Sequence, residues 1–371
     1  MKRCRIHLIA GARPNVMKIA PLYKVLATQA WCEPKLVFIG QHTSQNMSQD
    51  LFAQFGVEDE ITVLPLEARG YGDRLGGIVT AFSDFIERDD PDMVVIPGDV
   101  DAALGAALAA RRLNRTLVHL EAGLRSYDRT MPEEMNRVLI DAISDILLAP
   151  SEAAAQNLLY HEGKSHDRVH FVGNIMIDAL DEVLEPRRAR QVADGYGVEP
   201  GLYAVATFHR PGNVDDAGRL EQLRALLEWL SGRIPVVFPI HPRTRARLEA
   251  MEGGAELFAN PALRTAEPLP YPDFANLVSE ARLVVTDSGG IQEETSWLGV
   301  PCFTVRDNTE RPITVSHGAN VLVDFDDVRQ QIEHCLSRPR PGRAAPLPLW
   351  DGRTAWRVAQ VLRTSWKAAG A

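Results

Sequence analysis

The chain has 371 residues, of which 45% are hydrophobic and 24% are charged, a composition typical of soluble globular proteins and a length that favours two domains. Its formal net charge of −9 argues against the broad basic surface by which proteins bind nucleic acid or acidic membranes. No apolar stretch approaches the roughly 20 residues that span a bilayer, and the four cysteines form no CxxC pair, so we expect a cytoplasmic protein without membrane segment, disulfides or zinc site.

Short β-branched runs alternate with helical patterns along the chain, which indicates parallel sheets wound with helices. The strands of the first half are predicted at RIHLIA (5–10), KLVFIG (35–40), MVVIPG (93–98), LVHLEA (117–122), ILLAP (146–150) and VHFVG (169–173). Those of the second half are predicted at LYAVATFH (202–209), PVVFPIHP (235–242), RLVVTDS (282–288), PCFTVR (301–306) and NVLVDF (320–325). We therefore predict an α/β protein with two doubly wound domains that join near residues 172–180.

Open parallel sheets bind ligands outside the carboxyl ends of their strands, so the residues that follow a predicted strand are the first candidates for a site. After the first strand, GARPNVMK places Arg13 and Lys18 around the start of a helix, where free backbone N–H groups favour an anion. Two solvated cations beside an ordinary turn explain the same residues equally well.

Three carboxylates of the first half follow a strand or begin a helix. Asp99 follows MVVIPG, where capping of the next helix is a sufficient explanation. Glu121 lies at the end of an apolar strand, and a buried carboxylate must be paired or protonated, which favours a function there. Glu133 follows a proline in TMPEEMNR, where the helix dipole alone can account for it.

In the second half, VATFHRPGN closes a strand with His209 and Arg210. An imidazole at that position can donate to a ligand or act as acid or base near neutral pH, and a solvated surface histidine fits equally well.

The segment TDSGGIQEETSWLG also follows a strand. Its Ser288, Gly289 and Gly290 allow a backbone to approach a diphosphate closely at a helix start, and Glu294, one turn later, can accept from ribose hydroxyls. The alternative is a tight turn followed by acids that the helix dipole favours. Two downstream arginines are candidates for binding phosphate oxygens, Arg306 and Arg311.

Several segments in this order together resemble the non-hydrolysing UDP-N-acetylglucosamine 2-epimerases: GARPNVMKIAP, HLEAGLRSYDRTMPEEMNR, FHRPGN, EPLPYPDFANL, DSGGIQEETSWLGVP and RDNTERP. The resemblance implies a glycosyltransferase-B-type fold, with two Rossmann-like domains facing a central cleft. It implies an N-terminal domain over 1–173, joined by a C-terminal helix at 353–369, and a UDP-binding domain over 174–352. It also implies a homodimer that needs no metal and no other cofactor.

The resemblance assigns roles to individual residues. The catalytic positions are matched by Asp99, Glu121, Glu133 and His209. The substrate-binding positions are matched by Arg13, Lys18, Arg137, Phe274, Ser288, Gly289, Gly290, Glu294 and Arg311, to which we add Arg210. Some bacterial members bind a second UDP-N-acetylglucosamine as activator, and Gln41, His42 and His241 match part of that site. The segment GYGDRLGG lacks residues often found there, and Asn15 stands where many members have glutamate.

The implied reaction inverts C2 of UDP-N-acetylglucosamine, giving UDP-N-acetylmannosamine, or of a close UDP-2-acetamido sugar. The C2 hydrogen is not next to a carbonyl, so its simple removal would leave an unstabilised carbanion. If the C1–O bond to UDP breaks as the proton leaves, a 2-acetamidoglucal forms and the charge moves to the diphosphate, where cations stabilise it. UDP then adds back, and the proton is delivered to the opposite face of C2.

Three alternatives stay open at the level of the sequence. The first is a hydrolysing 2-epimerase that releases UDP and the free sugar. The second is a UDP-sugar transferase of the glycosyltransferase-B type, and the third is a regulatory protein that binds a nucleotide sugar without turning it over. The unusual run GDVDAAL at Asp99 also leaves open which sugar is accepted.

Overall fold

Two parallel sheets carry the chain, each in the strand order that doubly wound α/β domains use. This computed structural model describes residues 2–40, 52–66, 70–340, 342 and 347–369. The chain divides into a first unit, Met1–Asp181 with Pro348–Ala371, and a second unit, Glu182–Leu347. The predicted α/β class with two Rossmann-like doubly wound sheets is confirmed.

The first unit contains a seven-stranded parallel sheet in the order β3-β2-β1-β4-β5-β6-β7. Its strands are β1 Cys4–Ala10, β2 Cys32–Gly40, β3 Ile61–Pro65, β4 Met93–Pro97, β5 Thr116–Leu120, β6 Ile146–Ala149 and β7 Val169–Phe171. Its helices are α1 Arg13–Ala27, α2 Tyr71–Asp89, α3 Asp101–Arg112, α4 Pro132–Ile143, α5 Glu152–Gln156 and α6 Ile175–Val183, which ends just inside the second unit. The strand order reverses between β1 and β4, so the carboxyl ends of these neighbours form the edge at which such sheets bind ligands.

The second unit contains a six-stranded parallel sheet in the order β10-β9-β8-β11-β12-β13. Its strands are β8 Ala204–Thr207, β9 Val236–Pro239, β10 Leu263–Ala266, β11 Leu283–Thr286, β12 Cys302–Val305 and β13 Asn320–Val323. Its helices are α7 Pro186–Gly195, α8 Pro211–Val214, α9 Ala217–Ser231, α10 Pro242–Glu249, α11 Gly254–Ala259, α12 Tyr271–Ser279, α13 Gly289–Leu298, α14 Pro312–Ser316 and α15 Val328–Leu336. Here the order reverses between β8 and β11.

Continuous apolar runs become the central strands because helices cover both faces of a parallel sheet. Every residue of β4 (MVVIP) and of β11 (LVVT) is buried. The β11 side chains are divided between two clusters, with Leu283 and Val285 in one and Val284 in the other, so the polar residues that follow this strand are the first groups to reach the sheet edge.

Two strands were missed by the pattern of β-branched runs, and both are at sheet edges. β3 (ITVLP) and β10 (LRTA) each have one buried residue, whereas β4 and β11 are buried throughout. An edge strand is half covered, so it needs no continuous apolar run. Pairing with β2 and β9 makes these segments strands.

The C-terminal helix α16, Thr354–Ala369, packs against α1 in the first unit. The Asp178 carboxylate accepts from the backbone N–H groups of Thr354 and Ala355, at 3.1 and 2.8 Å, and so satisfies the first turn of the helix. Trp350 donates from Nε1 to the carbonyl oxygen of Pro150 at 3.0 Å. Among the described helices, none combines the length and the apolar character that crossing a membrane would demand.

Candidate active site

Glu121 directly follows β5 and has a φ of +73°, a left-handed value that residues other than glycine rarely adopt. Its side chain is 4% exposed, and Oε2 forms an ion pair with Nζ of Lys18 from α1. Oε1 is buried and has no hydrogen-bond partner among the described residues. Strained backbone and buried carboxylates with an unsatisfied oxygen occur more often at functional sites than at helix caps on the surface.

Asn15 joins the end of β1 to the end of β4. Its Oδ1 accepts from the backbone N–H groups of Gly11 and Ala12, at 3.1 and 3.0 Å, and its Nδ2 donates to the carbonyl oxygen of Pro97 at 3.0 Å. A glutamate at this position would accept in the same way but could not donate to Pro97 while ionised. The asparagine therefore ties both strand ends together.

Asp99 is held by Arg137, which reaches it from α4. Nε and Nη2 of Arg137 donate to Oδ2 of Asp99 at 3.0 and 2.6 Å, and Nη1 pairs with Glu134. The preceding residue, Gly98, has a φ of +68°, and a Cβ there would lie 2.9 Å from Nζ of Lys18 and 3.6 Å from Oε2 of Glu121. The structure thus brings Asp99 and Glu121 to adjacent strand ends, each with its own cation.

The two glutamates at the start of α4 have different surroundings. Glu133, the sequence candidate, is exposed and has no hydrogen-bond or ion-pair partner among the described residues. Glu134 is buried and accepts from the N–H groups of Ser126 and Tyr127, each at 2.9 Å. Burial would raise the pKa of Glu134, but these N–H groups and Arg137 bring it below its ordinary value. The carboxylate of Glu134 is thus occupied by contacts within the protein, while Glu133 is accessible to a ligand.

In the second unit, Asp287 organises the strand ends at the reversal of the sheet. It directly follows β11, is completely buried, and accepts from the backbone N–H groups of His209 and Arg210, at 3.2 and 3.0 Å, and from Nδ2 of Asn213 at 3.2 Å. Nδ1 of His209 lies 3.1 Å from Oδ1 of Asp287, and the imidazole is 52% exposed. Burial would raise the pKa of Asp287, but His209 and the Arg210 N–H lower it. The ionised carboxylate therefore fixes one edge of an accessible histidine.

Two arginines and two glutamates pack beside the N-terminus of α13. Nη2 of Arg306 lies 3.1 Å from Oε2 of Glu310, the other oxygen of Glu310 pairs with Arg311, and Nε of Arg311 lies 2.8 Å from Oε1 of Glu293. Nη1 of Arg306 is buried without a hydrogen-bond partner among the described residues. Burial lowers the pKa of Arg306, and the nearby charge of Arg210 adds to this effect.

Gly289 is the first residue of α13 and touches this cluster. A Cβ at Gly289 would lie 2.8 Å from Oε1 of Glu310 and 2.9 Å from Nη1 of Arg311, so any larger residue would displace the paired side chains of Glu310 and Arg311. Ser288 is the N-cap of the helix and its N–H donates to Oγ1 of Thr286 at 3.0 Å. The arrangement of free helical N–H groups and arginines is suited to a phosphate group.

Glu294 is 4% exposed on the buried side of α13. Burial and the neighbouring Glu293 raise the pKa of its carboxyl to about 8, although a hydrogen bond with Tyr271 of α12 lowers it. Glu294 is therefore largely protonated at neutral pH and can donate as well as accept. Phe274, also on α12, is partly buried against the apolar cluster that contains Ile291.

The remaining candidates are placed as follows. His241 is the N-cap of α10, where Nδ1 accepts from the N–H of Arg243 at 3.2 Å. Gly290 is in the first turn of α13. The Arg13 side chain, at the first position of α1, lies outside the described part of the structure, as do Gln41 and His42.

Sequence reasoning missed Asp287, although the residue lies at the carboxyl end of the predicted strand RLVVTDS, as other candidates lie at the ends of theirs. It also missed Glu134 and Asp141, which lie at helical spacing from the candidate Arg137 on the buried polar face of α4. Polar residues at helix positions that the periodicity marks as buried were the available signal for this polar face.

Comparison with known proteins gives one consistent result. The family model described as UDP-N-acetylglucosamine 2-epimerase matches residues 24–363. The UDP-N-acetylglucosamine 2-epimerase of Methanocaldococcus jannaschii is 34% identical, over 96% of this chain and 98% of its own. A UDP-2,3-diacetamido-2,3-dideoxy-D-glucuronate 2-epimerase of Pseudomonas aeruginosa is 37% identical, over 86% of this chain and 88% of its own.

Solved structures agree. The crystal structure of the M. jannaschii UDP-GlcNAc 2-epimerase in complex with UDP-GlcNAc and UDP has a TM-score of 0.83 at 33% identity, and the two chains are covered to 97% and 99%. A putative UDP-N-acetylglucosamine 2-epimerase from Listeria monocytogenes has a TM-score of 0.87 at 27% identity, with coverage of 99% and 98%. A glycosyltransferase from Rickettsia africae, at 14% identity and a TM-score of 0.57, shares the fold alone.

Proposed function

The chain belongs to the UDP-N-acetylglucosamine 2-epimerase family, and on that premise we propose that it inverts C2 of UDP-N-acetylglucosamine, or of a close UDP-2-acetamido sugar, without hydrolysing it. The observation that carries the proposal is the pair of carboxylates at adjacent strand ends, Asp99 with Arg137 and Glu121 with Lys18. Two carboxylates brought together at one sheet edge are the kind of groups that proton removal and return at one carbon require.

The chemistry follows from these groups. One carboxylate takes the C2 proton while the C1–O bond to UDP breaks, the C–H electrons form the C1=C2 double bond, and the bonding pair of the C1–O bond leaves with UDP. A second acid then protonates the opposite face of C2 as UDP returns to C1. We assign the acid and base roles to two of Asp99, Glu121 and Glu133. A well-placed general acid or base raises the rate by about 10²- to 10⁴-fold.

The second unit is proposed to bind the leaving group. Arg306, Arg311 and the N–H groups at the start of α13 form a cluster of donors that can stabilise the charge that develops on the diphosphate. We propose that His209 donates to a phosphate oxygen or a sugar hydroxyl, that Arg210 adds positive charge there, and that Glu294 contacts the ribose.

The sugar itself is proposed only as a class, the UDP-2-acetamido sugars. Asp101, in the unusual run after Asp99, pairs with Arg74 at 2.8 Å, and Asn136 donates both to Asp101 at 3.3 Å and to the backbone of Asp99 at 2.9 Å. These contacts couple the run to the candidate acid, so a change in this run is a change next to the reacting sugar.

The test is incubation of the purified chain with a panel of UDP-2-acetamido sugars, without acceptor, in deuterated buffer. We expect a C2 epimer that carries deuterium at C2 and little free UDP. Stoichiometric release of UDP and free sugar would identify a hydrolysing enzyme, and turnover only in the presence of an acceptor would identify a transferase. Binding without turnover of any member would leave a regulatory protein.

We also propose that two copies form a symmetric dimer through α4. Met135, Val138 and Leu139 occupy one stripe of this helix and are 58%, 41% and 44% exposed, an apolar face of the kind that dimers bury. Light scattering should give a dimer for the wild type and a monomer for Met135→Glu combined with Leu139→Glu. Tyr160→Glu, at another exposed apolar residue, should stay dimeric; a monomeric wild type at micromolar concentration would refute the proposal.

A cytoplasmic location stays a proposal. Cys4, Cys32, Cys302 and Cys335 are free thiols, as is usual in a reducing compartment. Fractionation of the producing cells, with the chain detected by antibody, is the direct test.

A further inference from the structure

His119 is a completely buried histidine on β5, two residues before Glu121. Its Nδ1 lies 2.5 Å from Oδ1 of Asp141 on α4, and its Nε2 lies 2.9 Å from the carbonyl oxygen of Gly98. The side chain therefore bridges a helix and the turn that carries Asp99, without being accessible to any substrate.

Both ring nitrogens of His119 face oxygen atoms that accept. A carbonyl oxygen can only accept, so Nε2 must carry a hydrogen toward Gly98. Burial would raise the pKa of Asp141, but His119 and Arg125 lower it below its ordinary value, so Asp141 is ionised and accepts from Nδ1. On this geometry we place one hydrogen on each ring nitrogen of His119, since both face acceptors.

The same network holds the turn of Glu121. Oδ2 of Asp141 accepts from the N–H of Gly123 at 3.0 Å and from Nη2 of Arg125 at 2.6 Å. On the other side, the N–H of Gly98 donates to the carbonyl oxygen of Leu120 at 3.0 Å. The peptide before Asp99 and the peptides around Glu121 are thus joined by one hydrogen-bond network, with His119 at its centre.

Gly98 depends on this support. Its φ of +68° is a conformation in which the backbone has little intrinsic preference to stay, and its carbonyl oxygen is the group that His119 holds. Rotation of this peptide would move Asp99 relative to Glu121. Misplacement of a reacting group by about 1 Å can cost 10²-fold in rate.

We propose that His119 is a positioning residue for the proton-transfer chemistry, and that its hydrogen bond to the Gly98 carbonyl fixes Asp99 against Glu121. The inference rests on the proposed epimerase function. Its rival is a buried histidine–aspartate pair that only stabilises the fold.

Two substitutions separate the two hydrogen bonds of His119. In His119→Gln, the amide nitrogen occupies the place of Nε2 and can donate to Gly98, but the bond to Asp141 is lost. In His119→Asn, the shorter amide replaces Nδ1 and can donate to Asp141, but the bond to Gly98 is lost. Each variant loses one buried hydrogen bond of His119. His119→Gln loses the one to the ionised Asp141, so a purely structural role predicts that it is at least as damaging as His119→Asn.

We expect His119→Asn to lower kcat by about 10- to 100-fold with KM within about twofold of the wild type, since binding groups are untouched. His119→Gln should restore kcat to within about threefold of the wild type, although both variants melt at lower temperature. Equal kcat values for the two variants, or a wild-type kcat for His119→Asn, would overturn the inference.

The matched control is His7, another buried histidine of the first unit, whose Nε2 lies 2.6 Å from Asp89. His7→Asn should also lower the melting temperature, but it should leave kcat within about twofold of the wild type because His7 contacts neither strand-end turn. A fall in kcat as large as that of His119→Asn would mean that general destabilisation is being measured.

A measurement on the unaltered chain covers the case in which the His119 variants do not fold. In the ¹⁵N-histidine-labelled wild type, one buried imidazole should show slowly exchanging protons on both nitrogens, with His119 assigned through its contacts to Gly98. Absence of the Nε2 proton would overturn the inference whatever the kinetics. An inactive wild type would instead refute the proposed function, and this spectrum would still decide whether His119 donates to Gly98.

Discussion

The two units share the order of six strands but place different charged groups at the ends of their central strands. In the first unit, the groups after β4 and β5 are the carboxylates Asp99 and Glu121, and a cation from a neighbouring helix holds each one. In the second unit, the carboxylate Asp287 after β11 is satisfied by backbone N–H groups and His209, and Arg306 after β12 pairs with the buried Glu310.

On the proposed function, this difference assigns two tasks to one sheet architecture. The sheet fixes where side chains of consecutive strand ends meet, and the residues placed there decide the chemistry. The first unit offers groups that can exchange protons, and the second offers groups that stabilise phosphate charge. We therefore expect substitutions in the first unit to lower kcat and those in the second to weaken the binding of UDP.

The largest expected effect is that of Glu121→Gln. The amide cannot take up or return a proton at C2, so kcat should fall by about 10²- to 10⁴-fold and deuterium incorporation at C2 should slow in parallel. Epimer formation and exchange are measured together by proton NMR in deuterated buffer. Glu152→Gln, an exposed acid of the same unit, is the control. Normal exchange in Glu121→Gln would remove this residue from the chemistry.

A smaller effect is expected for Arg311→Lys in the second unit. Lysine has no planar fork, so it cannot pair with Glu293 and Glu310 and still donate to a phosphate. UDP should bind about 10-fold more weakly by calorimetry, a loss of about 1.4 kcal/mol. Arg224→Lys, whose partners are Glu221 and Glu228 on α9, should bind UDP normally. Unchanged UDP affinity in Arg311→Lys would break the contrast between the units.

The last expected effect concerns Glu294 and stability rather than activity or binding. Its pKa is raised to about 8 in the folded chain, so between its unfolded value and pH 8 the folded state binds more protons than the unfolded state. The stabilising contribution is complete below the unfolded pKa and is lost as pH rises through about 8. Glu294→Gln should flatten the fall in melting temperature between about pH 5 and pH 8.

The control for this experiment is Glu256→Gln, an exposed acid of the second unit, which should melt with the same pH dependence as the wild type. If Glu294→Gln and the wild type showed parallel melting profiles between these pH values, the buried carboxyl would not be protonated in the folded chain.

How far the sequence led can be seen from particular strands. MVVIP and LVVT were recognisable because a central parallel strand is covered on both faces and must be apolar throughout. ITVLP and LRTA were not, because an edge strand is half covered and becomes a strand by pairing with its neighbour. Candidate residues such as Asp99, Glu121 and Ser288 could be chosen because they follow recognisable strands.

The sequence by itself determined the α/β class, the central strands and which polar groups stand at their ends, since these depend on residues close together in the chain. Only the tertiary structure decided that Lys18 pairs with Glu121, that Arg137 holds Asp99, and that Asp287 orients His209. These partners are brought together by packing of separate helices and strands. A local pattern records which residues are buried, but the compensation of a buried charge depends on a residue that the fold brings in from elsewhere.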